Sequence, residues 1–292
     1  MLPIHILGSG AMACLWASYF NDQQLIQFIL RSTNEKHFNF VIKPLNKLIK
    51  GSAVTATSIA SPIEHLIVAT KAFDAMRAID SIQHQLSENA QIILLQNGMG
   101  SQQNIAKKFS QYAVYACSST EGAYKIDAHT LMHAGKGVNH IGAMNAKARQ
   151  SELAKWLPEQ CFQWHDDIEP ILWKKLIINC AINPLTIIYN CKNGELLNQP
   201  HIKQHMEAIC QELDQVICHM PFSLPSAFQL ATDVCQQTAN NFSSMYQDGK
   251  HNKPTEIDFI TGYILNKCQE LSIECPENLK LYQQVKKLNV GP

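Results

Sequence analysis

The chain lacks a charge excess of either sign, because its 24 Lys and Arg face 24 Asp and Glu across 292 residues. Binding to a phosphate backbone draws on clustered positive charge, so nucleic acid is not an expected partner. Charged residues make up only 16% of the chain and hydrophobic ones 46%, a balance that buries a core and does not favour disorder. No apolar run approaches the ~20 residues that cross a bilayer, and MLPIHILGSG has no charged stretch ahead of an apolar one. The expectation is a soluble cytoplasmic protein without a membrane span or signal peptide.

The ten cysteines include no C-x-x-C pair. Scattered through a long chain, they read as mostly buried, reduced thiols rather than a disulfide framework or a zinc site. Of the twelve histidines, only His129 with His133 and His201 with His205 stand at i, i+4, and H-E-x-x-H is missing. The first pair lies in a strand-like stretch that holds the rings too far apart to share an ion, and the second reads as two surface positions on a helix. No metal is expected. Internal repeats and low-complexity tracts are missing as well.

What is present is alternation. The apolar run Pro3 to Leu7 is followed by glycines and then by helical spacing from Ala11 to Phe20. Further buried-strand runs follow at Leu25 to Leu30, His65 to Thr70, Gln91 to Gln96 and Ala113 to Ser118, with helical segments between several of them. This is the pattern of an α/β domain with a parallel sheet covered by helices. From Glu121 to Gly142 the texture turns to Gly-punctuated alternation, which predicts an antiparallel hairpin at the edge of that sheet, and a helix is predicted near Ala148 to Leu157. Beyond Ile168 strand signals vanish. Long helices are predicted near Pro170 to Tyr189, His201 to His219, Ser226 to Asn240, Thr255 to Leu271 and Glu277 to Lys287. The length suits two domains, divided at WHDDIEP into a Rossmann-type dinucleotide-binding domain over 1–167 and an all-α domain over 168–292.

Gly8-Ser9-Gly10-Ala11-Met12-Ala13 is a G-x-G-x-x-A turn between the first strand and the first helix. Gly8 allows the sharp turn, Gly10 lets backbone approach a pyrophosphate, and Ala13 permits close helix packing. The alternative is a plain turn. An NAD site ends its second strand with Asp or Glu to hold the ribose 2′-hydroxyl, whereas Arg31 stands there in this chain. Its guanidinium suits the 2′-phosphate of NADP, the alternative being a solvated arginine. Two further loops follow strand ends, Thr70-Lys71-Ala72 and Gln96-Asn97-Gly98-Met99-Gly100. Lys71 is a candidate to neutralise a cofactor phosphate, and Asn97 to meet the nicotinamide, the ribose or the substrate, although N-G is also a common turn dipeptide. In the block from Trp173 to Thr186, Lys175, Asn179 and Asn183 fall at i, i+4 and i+8 on one helical face amid apolar residues. Pro184 is expected to bend or end that helix. The competing reading is a polar stripe at a domain interface.

Together, GSGAMA, Arg31, TKA, LLQNGMG, KLIINCAINPLTIIYNCKNGEL, SSMYQD, KPTEIDFITGYI and CPENLKLY span nearly the whole chain, and in this order they resemble the ketopantoate reductase (2-dehydropantoate 2-reductase) family. The resemblance implies NADPH-dependent reduction of the 2-keto group of ketopantoate to pantoate in pantothenate synthesis. It makes Lys175 the general acid and Glu256 the active-site glutamate that holds the lysine or the cofactor ribose. Gly8, Ser9, Gly10, Ala11, Met12, Arg31, Lys71, Asn97 and Glu256 would then surround the cofactor, and Asn97, Asn179, Asn183 and Ser244 the substrate. Asn179 and Ser244 are favoured for its carboxylate and hydroxyl. With the proton donor on one domain and the hydride on the other, chemistry would depend on closure. Lys174 points about 100° away around the helix and reads as solvated. Glu121 departs from the family pattern, and an acid near the mouth of the cleft would disfavour an anionic substrate. Two rivals remain: an NADP-dependent reductase of another small 2-keto acid, and a non-catalytic NADP-binding sensor, against which Lys175 and Glu256 argue. A monomer and a homodimer are both compatible with the sequence.

Overall fold

The computed structural model describes residues 2–20, 24–151 and 156–288. Its contacts divide the chain into two compact units, Met1–Gln96 with Ser101–Ile168, and Asn97–Gly100 with Glu169–Pro292.

The first unit is built on an eight-stranded sheet. Strands β1 (Ile4–Leu7), β2 (Ile26–Leu30), β5 (Ser52–Thr55), β6 (Ile63–Val68), β7 (Leu86–Leu94), β8 (Ala113–Ser119), β11 (Asn139–Ala143) and β12 (Gln163–His165) stand in the order β12-β11-β8-β7-β6-β1-β2-β5. Every neighbouring pair is parallel except β8 with β11. Side chains alternate across a strand, so the apolar runs feed two cores. Ile4, Ile6, Ile67 and Ile93 enter one, together with Trp16 of α1 (Ala11–Ala17). Leu7, Leu66, Val68, Ile92 and Leu94 enter the other, with Ala75 and Ile79 of α2 (Ala72–Asp80) and Ile105 of α3 (Ser101–Lys108).

The predicted edge hairpin is a separate structure. Strands β9 (Gly122–Asp127) and β10 (Thr130–Gly135) do pair antiparallel, but in a second sheet of order β4-β3-β10-β9, with β3 (Phe40–Lys43) and β4 (Lys47–Ile49). Phe40, Ile42, Ile49 and Leu131 of that sheet are buried in the core shared with α1. Only β11 joins the main sheet, against β8. Local alternation specifies a strand and not its partner, which accounts for the difference. The helix predicted near Ala148 is short, α4 (Ala146–Arg149), capped by the Asn145 side chain on the Ala148 N–H at 2.9 Å. Part of that prediction, 152–155, falls outside the described residues.

The second unit is helical: α5 (Glu169–Ile188), α6 (Glu195–Asn198), α7 (Pro200–Ile217), α8 (Ala227–Gln237), α9 (Ser244–Lys250), α10 (Thr261–Leu271) and α11 (Pro276–Leu288). Helix α5 packs against α7, α8, α9 and α11. Two expectations bear on it. Its 20 residues are long and apolar enough to cross a bilayer, although most of that stretch is buried. It also continues through Pro184 without ending. Proline in a helix interior costs about 3 kcal/mol, and burial of every residue from Cys180 to Thr186 offsets that cost. The helix predicted from Thr255 is broken: a 3₁₀ turn spans Ile257–Phe259 and α10 begins only at Thr261. The carbonyl of Phe259, which a continuous helix would give to its own next turn, accepts the Met99 N–H at 2.8 Å instead. Among the cysteines, Cys268 of α10 and Cys275, just ahead of α11, form a disulfide, an exception to the reading of mostly reduced thiols. The other eight are free, and all but Cys161 and Cys218 are buried.

Candidate active site

Register brings the candidate cofactor residues of the first unit to one edge. Leu7 is level with Ile29 on β2 and Val68 on β6, and Val68 with Leu94 on β7. The chain therefore leaves β1, β2, β6 and β7 on the same side, where open parallel sheets take their ligands. Gly8, Arg31, Lys71 and the end of β7 follow those strand ends.

Gly8 has φ +111°, and a Cβ there would lie 3.3 Å from both the carbon and the oxygen of the Ala69 carbonyl. Only glycine fits this turn. At Gly10, which is exposed, a Cβ would meet nothing closer than the Ala69 oxygen at 4.0 Å, so there is open space over the backbone. Gly10 is the N-cap of α1, and the first turn, Ala11 to Cys14, is uncharged. This leaves N–H groups and open room for an anion, which fits a dinucleotide pyrophosphate. Ser9, Ala11 and Met12 are half-buried around the turn, and Ala13 is fully buried. Burial pushes the neighbouring Cys14 thiol up to about 11, so it stays protonated and unreactive at neutral pH.

Arg31 is exposed and pairs with Asp74 at 2.6 Å. Lys71 is the half-buried N-cap residue of α2. Gln96, not singled out from sequence, is buried and donates its amide to the carbonyls of Val68 and Thr70 at 2.9 and 3.1 Å. It thereby holds the loop that carries Lys71. The only sequence signal for it was its place before Asn97-Gly98 at a strand end.

In the second unit, Glu256 is buried, 5% exposed. Its carboxylate accepts the Asn97 amide at 3.4 Å. The Met99 N–H bonds to Phe259, while Gly98 has φ +77° and leaves no room for a Cβ beside the Phe259 carbonyl. The Asn97–Gly100 segment is thus seated on the turn that follows Glu256. On α5, Lys175 is half-buried and Lys174 exposed, as their positions around the helix require. Asn179 is half-buried and Asn183 buried on the face of Lys175. The Asn183 carbonyl accepts the Thr186 hydroxyl at 2.8 Å, and that hydroxyl meets Ser243 at 2.7 Å. Ser243 caps α9 through the Tyr246 N–H at 3.0 Å, which leaves Ser244 exposed at the first position of the helix.

Glu121 is turned inward. Its carboxylate accepts the Tyr19 hydroxyl at 3.0 Å and the Gly137 N–H at 3.0 Å, and meets His133 Nε2 at 2.6 Å, with its side chain 9% exposed. Burial, more than this neighbouring carboxylate, holds the Tyr19 hydroxyl well above the usual tyrosine range. The charge of Glu121 ties together the turn after α1, β10 and the following loop and is not offered to a ligand, against the expectation drawn from sequence. His133 is committed to Glu121, and His205 to Tyr189 at 3.0 Å. Among the described residues, no group of three or more His, Cys, Asp and Glu side chains is placed to hold a metal ion.

Residues 4–146 match the family model described as ketopantoate reductase PanE/ApbA, and residues 167–289 match its C-terminal model. The chain belongs to the ketopantoate reductase family. It is 31% identical to a 2-dehydropantoate 2-reductase of Yersinia pestis over 98% of this chain and 95% of that protein. Against a 2-dehydropantoate 2-reductase of Archaeoglobus fulgidus the identity is 32%, over 99% and 98%. The crystal structure of a probable 2-dehydropantoate 2-reductase from Bacillus subtilis superposes with a TM-score of 0.78 at 25% identity, covering 98% of this chain and 100% of that one. The first match lies in the first unit apart from 97–100, the second lies in the second unit apart from 167 and 168, and the family's members are oxidoreductases.

Proposed function

We propose that the chain reduces the 2-keto group of 2-dehydropantoate to pantoate with NADPH, as a cytoplasmic enzyme of pantothenate synthesis. The observation that carries the reading is the α5 face on which the half-buried Lys175 stands with Asn179 and Asn183 while Lys174 faces water. An ammonium held among apolar residues is a strong hydrogen-bond donor to a developing alkoxide.

The turn Gly8 to Met12 takes the pyrophosphate through backbone N–H groups, Arg31 takes the 2′-phosphate, and Lys71 neutralises a further phosphate. Asn97, whose amide bonds to Glu256, would hold the nicotinamide, the ribose or the substrate. When bound, the cofactor supplies a hydride. Lys175 donates a hydrogen bond to the keto oxygen and transfers its proton there as the carbonyl carbon is reduced; solvent then reprotonates the amine. Glu256 holds the lysine or the cofactor ribose in place. Asn179 and Ser244 bind the substrate carboxylate and hydroxyl, and Asn183 lines the same face.

The test is loss of NADPH absorbance on adding 2-dehydropantoate, repeated with NADH and with Lys175→Ala. General acid catalysis contributes about 10²- to 10⁴-fold, so the variant should lose turnover in that range while NADPH binding, followed by its fluorescence, is retained. Near-normal turnover of the variant removes Lys175 as the acid.

A further inference from the structure

Asp74 is a carboxylate that the reading of Arg31 leaves without a role. It lies in the first turn of α2, accepting Arg31 Nη2 on Oδ2 at 2.6 Å and Arg77 Nη2 on Oδ1 at 2.8 Å. Its side chain is 21% exposed, whereas the two guanidiniums are 76% and 77% exposed. A positive, a negative and a positive charge therefore stand in a row at the sheet edge where β2 and β6 end on either side of β1. A phosphate that takes the fork of Arg31 must share that guanidinium with Asp74 and lie beside a like charge. A ribose hydroxyl in the same place can donate a hydrogen bond to the carboxylate.

We propose that Asp74 sets the selectivity between phosphorylated and unphosphorylated nucleotides, narrowing the preference for a 2′-phosphate that Arg31 and Arg77 create. This rests on the cofactor reading above. Two charges a few ångströms apart in a water-exposed setting change an affinity by roughly five- to tenfold. Asp74→Asn keeps the shape, removes the repulsion and frees the Arg31 fork. Arg77 then serves as the second cation of the site.

The experiment uses the full chain and two probes read by calorimetry, adenosine 2′,5′-bisphosphate and adenosine 5′-monophosphate, so that binding is measured apart from turnover. Asp74→Asn, with Asp74→Ser as a second variant, should bind the bisphosphate about five- to tenfold more tightly and the monophosphate no better. The gain should shrink in high salt, where the Debye length falls to ~3 Å at 1 M. The ratio of the NADH to the NADPH KM should widen in step. Arg31→Ala is the control, and it should weaken the bisphosphate alone. Unchanged or weaker bisphosphate binding in both Asp74 variants overturns the proposal while leaving the cofactor reading intact if Arg31→Ala behaves as expected. A wild-type chain that binds neither probe, or an Arg31→Ala change that alters both equally, overturns the cofactor reading and the proposal together.

Discussion

Replacing Glu212 by glutamine should unfold the second unit at a markedly lower temperature. Glu212 lies on α7, 7% exposed, and acts as a cap for a helix it does not belong to. Its Oε1 accepts the Glu277 N–H at 2.7 Å, and its Oε2 accepts the Asn278 N–H at 2.9 Å and the Asn278 side-chain amide at 2.8 Å. Those backbone donors are in the first turn of α11, where a side chain just ahead of the helix would ordinarily satisfy them. Cys275 stands there, and its sulfur is tied to Cys268. Glutamine fills the same volume but turns an NH₂ group toward one set of donors. One buried donor left unmade costs about 1–3 kcal/mol, and losing the charge weakens the remaining bonds and the helix-dipole interaction by about 1 kcal/mol more. The sum is about 3 kcal/mol, a fall of roughly 10 °C in Tm for a unit of this size. Calorimetry with hydrogen exchange at the α11 amides reads both the size and the place of the effect. Because Tyr282 and Lys286 of α11 hold Asp258 at 2.6 and 3.0 Å, beside Glu256, turnover should fall well below the melting range. A shift under 2 °C with unaltered exchange in α11 would refute the capping role.

Glu121→Gln should lower stability by about 1–3 kcal/mol, through the bonds to Tyr19, His133 and Gly137, and leave the KM for the keto acid within about twofold; a large KM change with normal stability would return this charge to the substrate. Acid should destabilise the first unit through His5 and His65, whose pKa values burial pushes below the ordinary 6.5. Above pH 6.5 both states are neutral there, and as pH falls below 6.5 the unfolded chain takes up protons that the folded one refuses, so stability is lost. In urea titrations between pH 8 and 5, His5→Leu should show a shallower loss than wild type, and an identical slope would remove His5 from the account.

Much of the first unit was legible because its strands are short, apolar and punctuated by glycine. The turn at Gly8 and the strand ends at Arg31 and Lys71 are local facts, and a parallel sheet brings them to one edge by register alone. The polar face of Lys175, Asn179 and Asn183 was equally legible, since helical geometry needs only their spacing. The role of Glu121 was not. Its partners Tyr19 and His133 are 102 and 12 residues away, and a lone acid in a sequence carries no sign of whether it faces water or two half-buried side chains.

The sequence by itself determined the two-part architecture, the tight turn that only glycine can make, and the helical face that carries an amine among apolar neighbours, because each follows from conformational limits within a few residues. Tertiary structure alone decided that β9 and β10 join a second sheet, that Met99 takes the Phe259 carbonyl and so interrupts a helix, that Glu212 caps α11, and that Asp74 stands against Arg31. In each of these cases a hydrogen-bonding or charged group has many candidate partners along the chain, and only the packed arrangement brings one of them within about 3 Å.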